Sequence, residues 1–117
     1  MEINQEIVNK FVYFLKKEKY IKIIQDLNLE YCTDDNGGYV QLLLIQMKTR
    51  MRNKGWGSSV MSDIIRFADE HNVRVKLWIT DVYGSDLKRL KAFYKRNGFH
   101  TLANGNMTYH PQKKYEK

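Results

Sequence analysis

The 117 residues predict a mixed α/β layer fold, and three observations carry that prediction. Apolar residues recur at helical spacing near the N-terminus, in the middle of the chain and again around residue 90. Two turn signals, Asp34-Asp35-Asn36-Gly37-Gly38 and Ala103-Asn104-Gly105-Asn106, each sit between runs of strand character. Between the two hairpins, helix and strand alternate. The order is helices, hairpin, helix, strand, helix, hairpin.

Taken in sequence, Asn4 to Lys19 places Ile7, Phe11, Phe14 and Leu15 on one helical face, with Asn4 as the N-cap. Tyr20 to Leu29 reads two ways. Ile21, Ile24 and Leu27 suit a short helix, while Leu27, Leu29 and Tyr31 alternate as in a strand. A helical turn passing into a strand that ends near Thr33 is the reading adopted. The Asn-Gly turn then predicts a hairpin between Leu29–Thr33 and Tyr39–Met47. The second of these runs is apolar on both faces, as a central strand is. Val60 to His71 carries Val60, Met61, Ile64, Phe67 and Ala68 in steps of three and four, with Asn72 as its stop. Val73 to Thr80 reads as another central strand and Leu87 to Asn97 as a helix ended by Gly98. Short strands over Phe99–Leu102 and Met107–His110 complete the domain, residues 1–110; Pro111 to Lys117 is polar and reads as a disordered tail.

Composition narrows the partners. A chain of this length is one domain with one core. Its 43% apolar and 28% charged residues are ordinary for a soluble protein, and no apolar run approaches a membrane span. The single cysteine, Cys32, cannot form an internal disulfide, and the N-terminus has no secretory pattern. A cytoplasmic protein is expected. The net charge of +7 favours anionic partners without choosing among nucleic acid, acidic protein and phosphorylated ligand.

The most informative stretch is Arg52-Asn53-Lys54-Gly55-Trp56-Gly57-Ser58-Ser59. It lies between an expected strand and an expected helix, so backbone N–H groups and the positive end of a helix dipole converge there. Glycine lets backbone approach a ligand closely. Lys48, Arg50, Arg52 and Lys54 lead into it. A phosphate or pyrophosphate is the expected ligand.

Two motifs together resemble a known family. Arg52, Gly55 and Gly57 match the Arg/Gln-x-x-Gly-x-Gly/Ala signature of the GNAT family of N-acetyltransferases. Leu90-Lys91-Ala92-Phe93-Tyr94-Lys95-Arg96-Asn97-Gly98-Phe99 resembles that family's closing helix. The order and the spacing, one helix plus one strand, also match, and the resemblance covers about residues 39 to 110. It implies a mixed, mostly antiparallel central sheet with flanking helices, here without the family's usual first strand. It also implies acetyl-CoA as acyl donor and a primary amine as acceptor, either a small molecule, a protein lysine or an aminoacyl group on RNA. The strands Tyr39–Met47 and Val73–Thr80 would splay, with backbone of Gln46 and Met47 pairing with pantetheine. The amides and side chains of Arg52, Asn53, Lys54, Gly55, Trp56, Gly57 and Ser58 would hold the pyrophosphate. Tyr94 takes the place of the family's catalytic tyrosine, as general acid. No metal is implied, and a homodimer is compatible with the pattern.

Two departures stand out. Many members carry an asparagine where this chain has Leu87, with Ser85 and Asp86 nearby. The strand glutamate that often serves as base has no counterpart between Leu42 and Lys48. Asp81, Tyr83, Glu30, His100 and His71 are candidate bases, His71 being better suited to the core, and direct attack with water carrying the proton away is an equal alternative. Two other classes stay open: a basic nucleic-acid-binding protein using Tyr13, Tyr20, Tyr31, Tyr39 and Tyr83 for stacking, and a protein that binds CoA without catalysis.

Overall fold

Asn4 starts the first helix as expected: its Oδ1 accepts the Ile7 N–H at 3.0 Å, satisfying a donor that every helix N-terminus leaves open. The computed structural model describes residues 3–52, 54–78 and 87–112. Helix α1 (Gln5–Phe14) runs on through a π-helical turn, Leu15–Lys19, so the helical stretch ends where the periodicity predicts. Tyr20 to Ile23 form a turn, not a second helix, and strand β1 spans Ile24–Asp34. The expected strand was much shorter. Its buried residues Ile24 and Leu27 are three apart because an extra residue, Gln25, falls between Ile24 and Asp26; the second shift, at Asn28/Leu29, puts its extra residue, Leu43, in β2. Bulges insert an extra residue and so imitate helical spacing.

A two-residue loop, Asp35 and Asn36, joins β1 to β2 (Gly37–Met47). Asp34 Oδ1 accepts the Asn36 N–H at 2.8 Å, and Gly37 has φ +105°, a conformation costly for a side chain. Helix α2 (Trp56–His71) begins a full turn earlier than expected, so Gly57 and Ser58 are helical and not loop residues. Asn72 stops it in the left-handed region (φ 51°). Strand β3 (Arg74–Leu77), helix α3 (Leu87–Arg96), β4 (His100–Thr101) and β5 (Met107–Tyr109) follow, each within the expected range. The rest of the expected third strand, Ile79 and Thr80, lies outside the described residues, as do 113–117 of the expected tail. Gln112 is held by its N–H to Asp69 at 2.8 Å.

The five strands form one sheet in the order β1-β2-β3-β5-β4. β2 and β3 are parallel and the other neighbours antiparallel, so the sheet is mixed and mostly antiparallel. Registers Val40↔Val75↔Tyr109 and Leu42↔Leu77↔Met107 put these residues on one face, and all are buried. The Tyr109 hydroxyl donates to Asp69 of α2 at 2.8 Å, which puts α2 on that face. Helix α1 joins it through the Phe11–Phe67 stack at 4.2 Å, and α3 through the Tyr94–Phe99–Tyr109 ring contacts. The opposite face, with Tyr39, Gln41, Lys76 and Trp78, is covered by none of the described helices.

The buried apolar residues make one cluster drawn from every layer. Helix α2 alone contributes Val60, Met61, Ile64, Phe67 and Ala68. Burying each large side chain is worth roughly 1.5–3 kcal/mol, so this stripe anchors α2 and fixes where its N-terminus points. None of the described helices is long and apolar enough to cross a membrane.

Candidate anion site at the start of helix α2

Gly55 turns the chain into α2 from φ +84°, ψ 0°, a left-handed conformation in which a side chain is strained. It is the N-cap, and no side chain among the described residues caps the helix. Only the fourth amide, Ser59 N–H, is taken up within the turn, by Gly55 O at 3.3 Å. The amides of Trp56, Gly57 and Ser58 point out of the helix end, and the first turn holds no acidic residue. Open donors plus an uncompensated helix dipole favour an anion. The space beside Gly55 is open, with nothing within 4 Å of where a Cβ would stand.

The end of β2 is joined to this site by residues 48–55, which include a 3₁₀ turn at Thr49–Met51. Gln46 and Met47 pair with β1 through Gln46↔Asp26 and Met47↔Ile24. The recorded parallel register with β3 covers only Tyr39↔Arg74 to Leu42↔Leu77. β3 is described as far as Leu77, and residues 79–86 lie outside the described residues.

The cations divide by role. Lys48 is structural: its N–H donates to Ile23 O at 2.8 Å and its Nζ to Ile21 O at 3.0 Å, tying the β2 end to the turn before β1. Arg52 Nε donates to Met47 O at 3.3 Å, which leaves its Nη groups without a protein partner among the described residues. Arg50 and Lys54 are exposed. Asn53 lies outside the described residues.

Gly57 faces helix α3. A Cβ there would stand 3.7 Å from the Phe93 ring, an ordinary contact, so α3 lies along the first turn of α2. The next residue, Tyr94, is 6% exposed, its ring against Phe93 and Phe99. Burial pushes its phenol up to about 12, which keeps the proton on at neutral pH. Its hydroxyl has no side-chain partner among the described residues.

A cleft of about 410 Å³ adjoins the same helix start, lined by Lys19 to Ile23, Trp56 and Ser59. One wall is a fixed network. Tyr20, 3% exposed, donates to Asp63 Oδ2 at 2.5 Å, so Ser59 donates to the Tyr20 oxygen at 2.8 Å. Lys19 closes the chain on Asp63 at 3.0 Å. Burial and the Asp63 bond raise the Tyr20 phenol, and the Asp63 bond raises Lys19. Sequence reading did not find this wall. Ser59 and Asp63 share the polar side of α2 and Tyr20 lies far upstream, so no local pattern links them.

The candidate bases are dispersed. Glu30 faces Gln41 across the β1–β2 ladder, on the sheet face away from α2. His71 packs its ring 4.4 Å from Phe67, the structural role expected of it. His100 stacks on His110 at 5.0 Å, beyond β3 and β5. Asp81, Tyr83, Ser85 and Asp86 lie outside the described residues. No family model, curated protein or solved structure matches the chain.

Proposed function

We propose that the chain is a compact member of the GNAT family, an acetyl-CoA-dependent N-acetyltransferase acting on a primary amine. One observation carries the reading: among the described residues the start of α2 has no capping side chain and no acid, and it is entered through left-handed Gly55 a few residues after the end of β2. The two motifs described above give it a chemical identity. Acetyl-CoA supplies an activated acyl group. The chain's share is to bind and orient it. The amides of Trp56, Gly57 and Ser58, with the Arg52 guanidinium, hold the diphosphate. Backbone of Gln46 and Met47 aligns the pantetheine amides, and a backbone N–H in that region stabilises the carbonyl oxygen as it gains charge.

In the transfer, the amine lone pair forms the new C–N bond and the C–S bond breaks. The nitrogen releases one proton to water or a base, and the departing sulfur takes one up. Tyr94, protonated well past neutral pH, is the proposed donor to that sulfur. The acceptor is a small amine or a protein lysine. The cytoplasmic setting and the homodimer belong to the same proposal. Burial of Tyr94 favours, as a second reading, a protein that binds CoA without turnover.

Transfer of labelled acetyl from acetyl-CoA to a panel of primary amines and lysine peptides tests the proposal. Tyr94→Phe is expected to lower kcat about 10²- to 10⁴-fold with acetyl-CoA affinity unchanged. Equal rates in variant and wild type would remove Tyr94 from the chemistry. Saturable binding without any transfer would favour the second reading.

A further inference from the structure

The sheet face away from the helices holds a second cavity, about 200 Å³, at the junction of β2, β3 and the β4–β5 turn. Its walls are aromatic and carboxamide. Tyr39 and Trp78 supply rings, Gln41, Asn104 and Asn106 supply amides, Leu102 an apolar side, and Lys76 the one charge among the described residues. Trp78 is 67% exposed, an unusual state for the largest apolar side chain. Tyr39 is held from one side, with Lys76 Nζ 4.3 Å and the Arg74 guanidinium 5.4 Å from its ring centre. Asn104 Oδ1 already accepts the Asn106 N–H at 3.0 Å, which leaves its NH₂ to donate. The Asn106 amide has no side-chain partner among the described residues, and Gln41 has only a thiol 4.0 Å from its Oε1.

We propose that this cavity binds one unstacked base of a single-stranded nucleic acid. Flat rings recognise a base by stacking, and carboxamides offer the paired donors and acceptors that read a base edge. The volume falls below the roughly 300–1,000 Å³ of drug-sized sites and suits one ring system. Charge separates a strand from a free nucleotide. Arg74 and Lys76 both contact Asp34, at 2.7 Å each, so two cations against one carboxylate leave one net positive charge. That matches a single phosphodiester and falls short of a triphosphate. Glu30, across the ladder from Gln41, does not line the cavity. The site lies on the opposite sheet face from α2 and does not depend on the proposed acyl transfer.

Trp78 is its own probe. The chain has two tryptophans, and Trp56→Phe leaves Trp78 alone. Titration of that variant with an unlabelled single-stranded ten-nucleotide RNA should quench Trp78 saturably, with a shallow salt dependence. With fluorescein-labelled RNA, anisotropy should show Trp78→Ala weakening wild-type binding about 10- to 100-fold. Gln41→Glu, near-isosteric and placing a carboxylate in the cavity, should weaken it as well. Saturating acetyl-CoA should leave the affinity unchanged. Four results would overturn the proposal: no quenching, equal affinity for duplex and single strand, equal affinity for a mononucleotide and the oligomer, or competition by acetyl-CoA. The third would assign the cavity to a free nucleotide, the fourth to the adenine of the cofactor.

Discussion

At the scale of the residue, two glycines in one short motif do different work. Gly55 is needed for its backbone, since φ +84° strains any side chain. Gly57 is an ordinary first-turn helical residue with space for a methyl group against Phe93. Gly55→Ala should therefore lower stability by about 1–2 kcal/mol. Gly57→Ala should be neutral or stabilising by up to ~1 kcal/mol. Thermal unfolding of both variants checks this, and an equal loss in both would contradict the assignment of Gly57 to the helix. The sequence made Gly55 legible as a turn residue. It misplaced Gly57, because glycine and serine favour loops locally and only the packing of Val60, Met61 and Ile64 draws the preceding turn into the helix.

At the scale of the element, the turn after the first helical stretch is tied to α2 by a part-buried polar contact, beside the Phe11–Phe67 stack that joins α1 to α2. The Tyr20 hydroxyl links Ser59 and Asp63, and one of those partners is a carboxylate. Tyr20→Phe removes the hydroxyl and keeps the ring. It should cost about 1.5–3 kcal/mol by urea unfolding, the range for hydrogen bonds to charged groups. A loss below a few tenths would mean that Lys19 and Arg66 satisfy Asp63 without it. The same elements show what was readable in the chain. The helices were, because Asn4, Asn72 and Gly98 mark their ends and the apolar stripes are regular. Strand β1 was readable only from Leu29 onward, because the bulge near its start breaks the alternation that identifies a strand. The aromatic cavity was hidden too, its walls coming from three separate elements.

At the scale of the whole molecule, three buried tyrosines in different layers share one dependence on pH. Burial raises the phenols of Tyr20, Tyr94 and Tyr109, with Asp63 and Asp69 adding to the first and last. A raised folded pKa means that the folded state holds its proton longer than the unfolded chain. The stabilisation is complete below the unfolded value near 10 and is lost as pH rises through the folded values. For Tyr94, held up to about 12, this amounts to roughly 2–3 kcal/mol between pH 10 and 12. Urea midpoints should be flat from pH 8 to 9.5 and fall above it, less steeply in Tyr94→Phe. An unchanged slope in that variant would place the Tyr94 hydroxyl in water.

The order of strands, the parallel β2–β3 pair and the helix start beside it all converge on one point, the amides of α2. Isothermal titration of acetyl-CoA into the wild type and into Gly57→Glu tests that convergence most directly. Glutamate in a first helical turn favours the helix through its dipole while repelling phosphate, so the variant should unfold no earlier than the wild type. One-to-one binding by the wild type, absent in the folded variant, is the predicted result. No binding by the folded wild type, or equal binding by both proteins, would contradict the acetyl-CoA site.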